Sequence, residues 1–586
     1  MTNSYRKNVT EMRPTTVEIE RLQNLVSTLL ATLDKINDIV YNEPFEKSLM
    51  KIKEVLHASQ KLKDQEKGAR KLPVSIGASS GGSFSIFGPT SAFYNVVDMS
   101  SSTMTAELFD NALMNLSSLM LCLCNFFKWQ YPDIAMFIHR ESFLNDFLNP
   151  LSTLSYCSEE LVYSIAALGA KCSEDNNLRL LSQSFFETAK TKIFSKKICQ
   201  PHVNTLQALL CLSLYELGDG NASASWMLSG MAIRMGYDLG FQLNPSDWTI
   251  ASTDSTISQH AIIANMDVMV RSRIYWGCYI FDHFVSLVMG RPVTIRKSEA
   301  SIPSSEHLPN SNKIEDYIFR PSKDEGSVEN LDASATLRQL CLLCDCVGSL
   351  LSDIFSSDAG EDGFAYLTGG RLDRYNKLLV DWRAHIPSSM RWNKKTLAKQ
   401  LYNPTVMANR LFYYVILLCL NKPFLTIKVE VQGPTPLEIC NSAISELLII
   451  LSKFNDSGFP PSCLVVYSSI LGISVILAKV YSAEGTHEIP EEDLRGLMVF
   501  YATLSRACSS WKLASKALMF LTKRISELNV PSISHVFDTA EDAYQNKLSQ
   551  RELDEIMELG GDLTAQDNLF SNFFEFLNDE DLSRVS

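Results

Sequence analysis

The first pattern along the chain is a heptad. Apolar residues fall at Ile19, Leu22, Val26, Leu29, Leu33, Ile36 and Val40, at spacings that alternate between three and four. Ile19, Val26, Leu33 and Val40 share one seam position, and Leu22, Leu29 and Ile36 share the other. Mostly β-branched residues at the first and mostly Leu at the second favour a parallel two-stranded coil. Pro14 precedes the run, and Thr15 or Thr16 is placed to cap the helix. The same stripe would also serve an amphipathic helix docked on its own domain, because three heptads are short for a stable coil. The pattern predicts a dimerisation helix over residues 19–40, after a short basic stub over 1–18.

From about Thr103 to Asn529 the apolar positions recur at helical spacing. Leu206, Leu210, Leu214 and Leu217 form one stripe; Ile274, Cys278, Phe281, Val285 and Val288 form another. Alternating runs of β-branched residues are scarce. Loops are marked by Asp219-Gly220-Asn221, by Gly290-Arg291-Pro292 and by the polar stretch from Ser301 to about Asn330. No short-period repeat emerges. The expected fold class is all-α: an irregular helical domain over 99–535, preceded by a flexible linker over 41–98. That linker passes from the Lys-rich Lys61–Lys71 into Gly- and Ser-rich sequence too poor in apolar residues to order itself. Its Gly77–Gly81 segment, GASSG, matches the spacing of a hydrolase nucleophile elbow. That motif needs a strand before it and a helix after it, and the pattern indicates neither. Phe459–Ala478 has no charge for 20 residues, but it opens on Pro460-Pro461 and contains four serines. It is expected as a buried core helix, with no membrane contact.

Charge sharpens this division of the chain. The 586 residues carry a formal net charge of −13, but unevenly. Residues 1–72 hold 13 Lys/Arg against 10 Asp/Glu, whereas 538–586 hold 3 against 13. Within the acidic end, Leu569, Phe570, Phe573, Phe574, Phe576 and Leu577 lie among Asp and Glu. Acids keep such a segment solvated while its aromatics stay available to a partner groove. Residues 536–586 are therefore expected to be an acidic-aromatic tail. A last helix folded onto the core is the other reading of the same residues.

Candidate chemistry is sparse. No P-loop, HExxH or dinucleotide-type glycine motif in a strand–helix context occurs. Cys341, Cys344 and Cys346 are the nearest approach to a metal site. Structural zinc takes four ligands, the next cysteine is Cys419, and the triplet sits in a Leu-rich helical run, so core thiols are expected. The fourteen cysteines are irregularly scattered, as reduced thiols of the cytosol or nucleus would be. His139 and His283 are expected as satisfied helix or loop residues rather than bases. The opening MTNSYRKNVTEMRPTT has no apolar run behind its basic residues, so no secretory signal is expected. No enzyme activity is expected.

Four segments carry a resemblance: Phe87–Tyr94, Phe126–Phe147, Thr205–Phe241 and Arg271–Ile295. In order and spacing they resemble the fungal-specific transcription factor domain, the helical regulatory region of zinc binuclear cluster regulators, and the match is most diagnostic over 126–300. The resemblance implies a nuclear transcription regulator acting through coactivators; the alternative readings are a cluster-less modulator or heterodimer partner of full-length factors, and a helical module that senses a small-molecule effector. It makes residues 19–40 the short dimerisation coil of that family, in a homodimer or a heterodimer with a related factor, and makes the acidic tail an activation segment. It also implies a six-cysteine cluster holding two zinc ions before the coil. No cysteine precedes Cys122, so zinc is expected only with an upstream cluster, and DNA is reached only through that module or a partner. Arg6, Lys7 and Arg13 resemble the end of the basic linker that follows such a cluster. They would contact phosphate without reading bases.

Overall fold

The computed structural model describes residues 74–78, 84–87, 117–131, 133–148, 156–244, 248–249, 265–303, 333–353, 364–402, 404–482 and 490–528. Helix dominates them, and the all-α class stands. In chain order the helices are α1 (Ser117–Asn125), α2 (Arg140–Leu148), α3 (Glu159–Lys171), α4 (Asn176–Lys192), α5 (Val203–Gly218) and α6 (Ala222–Asp238). Then come α7 (Asn265–Met289), α8 (Ala333–Asp353), α9 (Phe364–His385), α10 (Lys394–Lys399) and α11 (Pro404–Asn421). The last four are α12 (Pro436–Ser457), α13 (Cys463–Ser482), α14 (Glu491–Ala507) and α15 (Lys512–Leu528).

Helix limits follow local chemistry. Pro436 opens α12 behind Thr435, whose hydroxyl accepts the Glu438 amide while Glu438 Oε2 accepts the Thr435 amide. That capping box satisfies two donors the first turn cannot use internally. The same helix stops at Gly458, whose φ of 69° is the left-handed region open to a residue without Cβ. Asp175 caps α4 by accepting the Asn177 amide.

Two helices are enclosed on all sides. Fourteen of the sixteen residues of α5 are buried, so the Leu206–Leu217 stripe is one side of a central helix. Every residue from Ser272 to Met289 of α7 is buried, including the five predicted at Ile274, Cys278, Phe281, Val285 and Val288. Helix α7 approaches the 134–138 segment backbone to side: a Cβ on Gly277 would stand 2.3 Å from the Met136 carbonyl oxygen. Helix α13 is a third core element. Its Ser468 and Ser469 hydroxyls donate to the Val465 carbonyl and Ser474 to that of Leu471, which removes the cost of burying them. Two described helices, Ala335–Asp353 and Cys463–Val480, are long and apolar enough to cross a membrane; the second is 89% buried within the protein, as the core reading requires.

Around these, α3 packs on α1, α4 and α5, and α5 on α6. Helix α8 links α7 to α11, and α11 packs on α12 and α13. Helices α14 and α15 complete the layer behind α13, and both α13 and α15 reach α5.

One feature departs from the expected linker. Val74–Ala78 (β1) and Phe84–Phe87 (β2) pair antiparallel, with Ile76 opposite Ile86, and Trp248–Thr249 (β3) adds to β1 in parallel. The period-two alternation of VSIGA and FSIF is embedded in Gly/Ser-rich sequence that conceals it. A strand thus does precede Ser79, but a second strand follows rather than a helix, and the nucleophile-elbow reading stays rejected. The stub, the 19–40 helix and the acidic tail lie outside the described residues, as does the polar loop beyond Pro303.

Candidate functional site: a buried carboxylate where two halves of the domain meet

The 126–133 stretch approaches the start of α13, about 330 residues later in the chain. After α1 the chain widens into a π-helical turn at Phe126–Gln130. Gln130 Nε2 then donates to Cys172 Sγ at 3.0 Å and to the Pro461 carbonyl at 3.5 Å. Trp511 Nε1 donates to the same carbonyl at 2.9 Å. The Pro460-Pro461 pair cannot donate backbone hydrogen bonds, and it presents this carbonyl to two distant elements instead.

Asp133 sits at this junction, only 6% exposed. Burial pushes its carboxyl up to about 7, opposed by hydrogen bonds from the Ser462 hydroxyl and the Leu464 amide in the first turn of α13. Its Oδ1 has no hydrogen-bond partner. Beside it lies a cavity of about 10 Å³. Trp129 and Asp133 line it from one side, Tyr402, Pro404, Ala408 and Leu411 from another, and Pro460 and Ser462 close it. Trp129, Pro404 and Pro460 are half-buried, so the mouth lies near the surface. Trp129 packs on Phe459 with ring centroids 4.8 Å apart, and Tyr402 packs on Phe454 at 5.3 Å.

A second polar cluster joins α9, α11 and α12. Arg383 Nη2 pairs with Glu446 Oε2 at 2.7 Å. Tyr414 donates to the same oxygen at 2.5 Å and accepts from Trp392 Nε1 at 2.7 Å. Arg410, fully enclosed, donates to Gln400 Oε1 at 2.7 Å and lies 5.3 Å from the Trp392 ring, and burial lowers it to about 10. The groups of this cluster are packed against one another, and they tie α9, α11 and α12 to the segment around Trp392 and Gln400.

The Arg271–Ile295 segment proves to be a clamp rather than a reaction centre. Asp282 Oδ2 accepts the Thr294 and Ile295 amides, each at 2.8 Å, and so ties the chain after Gly290-Arg291-Pro292 back onto α7. Burial raises Asp282 to about 6 against the pull of those amides. Tyr279 donates to Asp345 Oδ1 at 2.7 Å, and Lys297 reaches Asp345 Oδ2 at 2.8 Å, so α8 is held from both. His283 Nδ1 donates to the Tyr279 carbonyl at 2.8 Å, and burial lowers it to about 4. His139 meets Ser142 at 2.8 Å and is likewise lowered to about 4 by burial. Both histidines are satisfied, as the sequence led us to expect.

Cys341 and Cys344 are buried in α8 and Cys346 is half-buried; burial pushes the Cys346 thiol up to about 11 and Cys344 well above its ordinary range. Such thiols resist the deprotonation that metal binding requires. Among the described residues no three His, Cys, Asp or Glu converge on a metal position, so the zinc implied by the resemblance does not fit these cysteines. The expected seam (Ile19 to Val40), the basic contacts (Arg6, Lys7, Arg13) and the activation segment (Leu569 to Leu577) fall outside the described residues. Asp133, Tyr402 and Ser462 were not singled out from the sequence. The available signals were one acid in the apolar FFKWQYPDIAMF and a Pro-Pro-Ser step before a helix.

Residues 123–362 match the family described as the fungal specific transcription factor domain. An uncharacterized transcriptional regulatory protein of Schizosaccharomyces pombe is 32% identical over 457 residues, covering 77% of this chain and 72% of that protein. A second from the same organism is 31% identical over 498 residues, 83% of this chain and 76% of that protein. The "Activatory protein CHA4" of Saccharomyces cerevisiae is 34% identical over 386 residues, 62% of this chain and 56% of that protein. No solved structure matches. The chain belongs to the family of fungal transcriptional regulatory proteins that carry this domain, and its class is transcription regulator rather than enzyme.

Proposed function

We propose that this protein acts in the nucleus as a transcription activator, by recruitment rather than catalysis, with residues 19–40 as its dimerisation coil. The observation that carries this reading is the acidic-aromatic tail at 554–582. A relative named an activatory protein supports the same direction. In this mechanism Leu569, Phe570, Phe573, Phe574, Phe576 and Leu577 enter a coactivator groove as a short amphipathic helix. The surrounding acids keep the segment exposed and speed its capture by basic rims. DNA reading is assigned to a zinc cluster that residues 1–121 do not contain, on a preceding segment or a partner chain; Arg6, Lys7 and Arg13 add phosphate contacts. A second reading is a modulator that pairs with cluster-bearing factors; a transcript with a stop codon just before Met1 would favour it, and an upstream exon encoding six cysteines would favour the activator.

The test is a fusion of 554–586 to a foreign DNA-binding domain. The fusion should activate a reporter, and changing Phe570, Phe573, Phe574 and Phe576 to Ala should abolish most of that activity. Neutralising Asp579 and Asp581 should only weaken it. A silent fusion, together with loss of domain stability on deleting 554–586, would make the tail a packed terminal helix.

A further inference from the structure

We propose that the cavity beside Asp133 is a binding site for a small molecule carrying a primary ammonium headgroup. This goes beyond the recruitment reading, and neither stands or falls with the other.

Size, charge and donor geometry agree. A volume of about 10 Å³ admits one water-sized group. An ammonium headgroup meets that limit, and a trimethylated one does not. Asp133 is buried, its Oδ1 has no partner, and no ion pair to it forms among the described residues. A buried carboxylate left without a counter-charge is costly, and an entering cation relieves that cost. Three lining side chains bear oxygen, those of Asp133, Tyr402 and Ser462, which suits the three N–H donors of an ammonium. Divalent calcium would need six to eight oxygens. Trp129 and Tyr402 are the aromatic residues of the lining, and the Trp129 ring already carries the Lys128 ammonium 4.6 Å from its centroid. The half-buried Trp129, Pro404 and Pro460 leave the mouth for the remainder of the ligand.

The groups around the carboxylate leave this role open. Tyr402 and Cys463 interact with Asp133, and burial holds both in their neutral forms. Arg506, which interacts with Tyr402, is engaged by the Phe454 carbonyl at 2.7 Å and that of Phe459 at 3.0 Å. Lys171, which also influences Cys463, is paired with Asp219. A bound cation favours the ionised carboxylate, so binding near neutrality releases a proton and strengthens as pH rises.

The experiment is calorimetric titration of the full chain with methylammonium chloride, against tetramethylammonium chloride at matched ionic strength. Methylammonium should bind in the millimolar range, near the ceiling for so small a ligand. Binding should be about ten-fold tighter at pH 8 than at pH 6, as a site titrating near 7 requires. Tetramethylammonium should not bind, and Asp133→Asn should abolish the methylammonium signal. If that variant does not fold, Ala408→Val, which fills the cavity and keeps the carboxylate, should abolish it instead. No methylammonium binding at pH 8, equal binding of the bulky cation, or binding that survives in the folded variant would each overturn the assignment.

Discussion

A Cβ on Gly218 would stand 2.0 Å from Cε3 of Trp511. The last residue of α5 therefore lies hard against the residue just before α15, nearly 300 positions later. Trp511 is wholly buried and its indole nitrogen is committed to Pro461, so the ring has no room to withdraw.

Gly218→Ala should consequently destabilise the domain, by about 1–3 kcal/mol for overpacking. An ordinary helix position would show the opposite sign, because Ala is favoured over Gly there. Chemical denaturation decides between them, and a midpoint that rises would show that α15 does not dock on α5 as described.

Asp282→Ala should cost about 1–3 kcal/mol for each buried amide left unpaired, which here means Ile295 above all. The loss should appear as a lower denaturation midpoint and as faster amide exchange at Thr294 and Ile295. Unchanged exchange at those two positions would remove the clamp.

The pH dependence of stability should carry the mark of Asp133. Its folded pKa, about 7, is raised above the unfolded value near 4, so the folded state binds more protons between those limits. The contribution is then favourable at low pH and is lost as pH rises from about 4 to 7. In the difference between wild type and Asp133→Asn the other groups cancel. The stability of wild type relative to the variant should fall across that window and level off above it. A flat difference would place the carboxylate in water.

Charges in the expected seam, Leu29→Lys with Leu33→Glu, should shift a dimer towards monomer, since unpaired charges at a packed interface are costly. Sedimentation reads this directly. An unchanged mass would mean that the 19–40 stripe docks within its own chain.

Helix content was legible because helical spacing is a local property, and so was the enclosure of Phe281 and Leu210. The pattern failed where burial is complete. In α5 and α7 the apolar stripes were read as faces, whereas their Asn204, Gln207, Asp282 and His283 are buried too. A polar residue inside a core looks the same in sequence as one facing water until its partner is known. The hairpin of β1 and β2 was missed because a four- or five-residue alternation is weak against Gly- and Ser-rich flanks.

What the amino-acid sequence determined by itself was the series of helices, the loops at Gly220 and Gly290, the thiol character of its cysteines and the family its motifs resemble. Only the tertiary structure decided that Gln130 meets Pro461, 331 positions away, and that Asp133 faces Ser462 beside a cavity. Helical periodicity arises from hydrogen bonds four residues apart and is written along the chain. Which helix termini meet is settled by how fifteen described helices fill one core, and no local spacing encodes that.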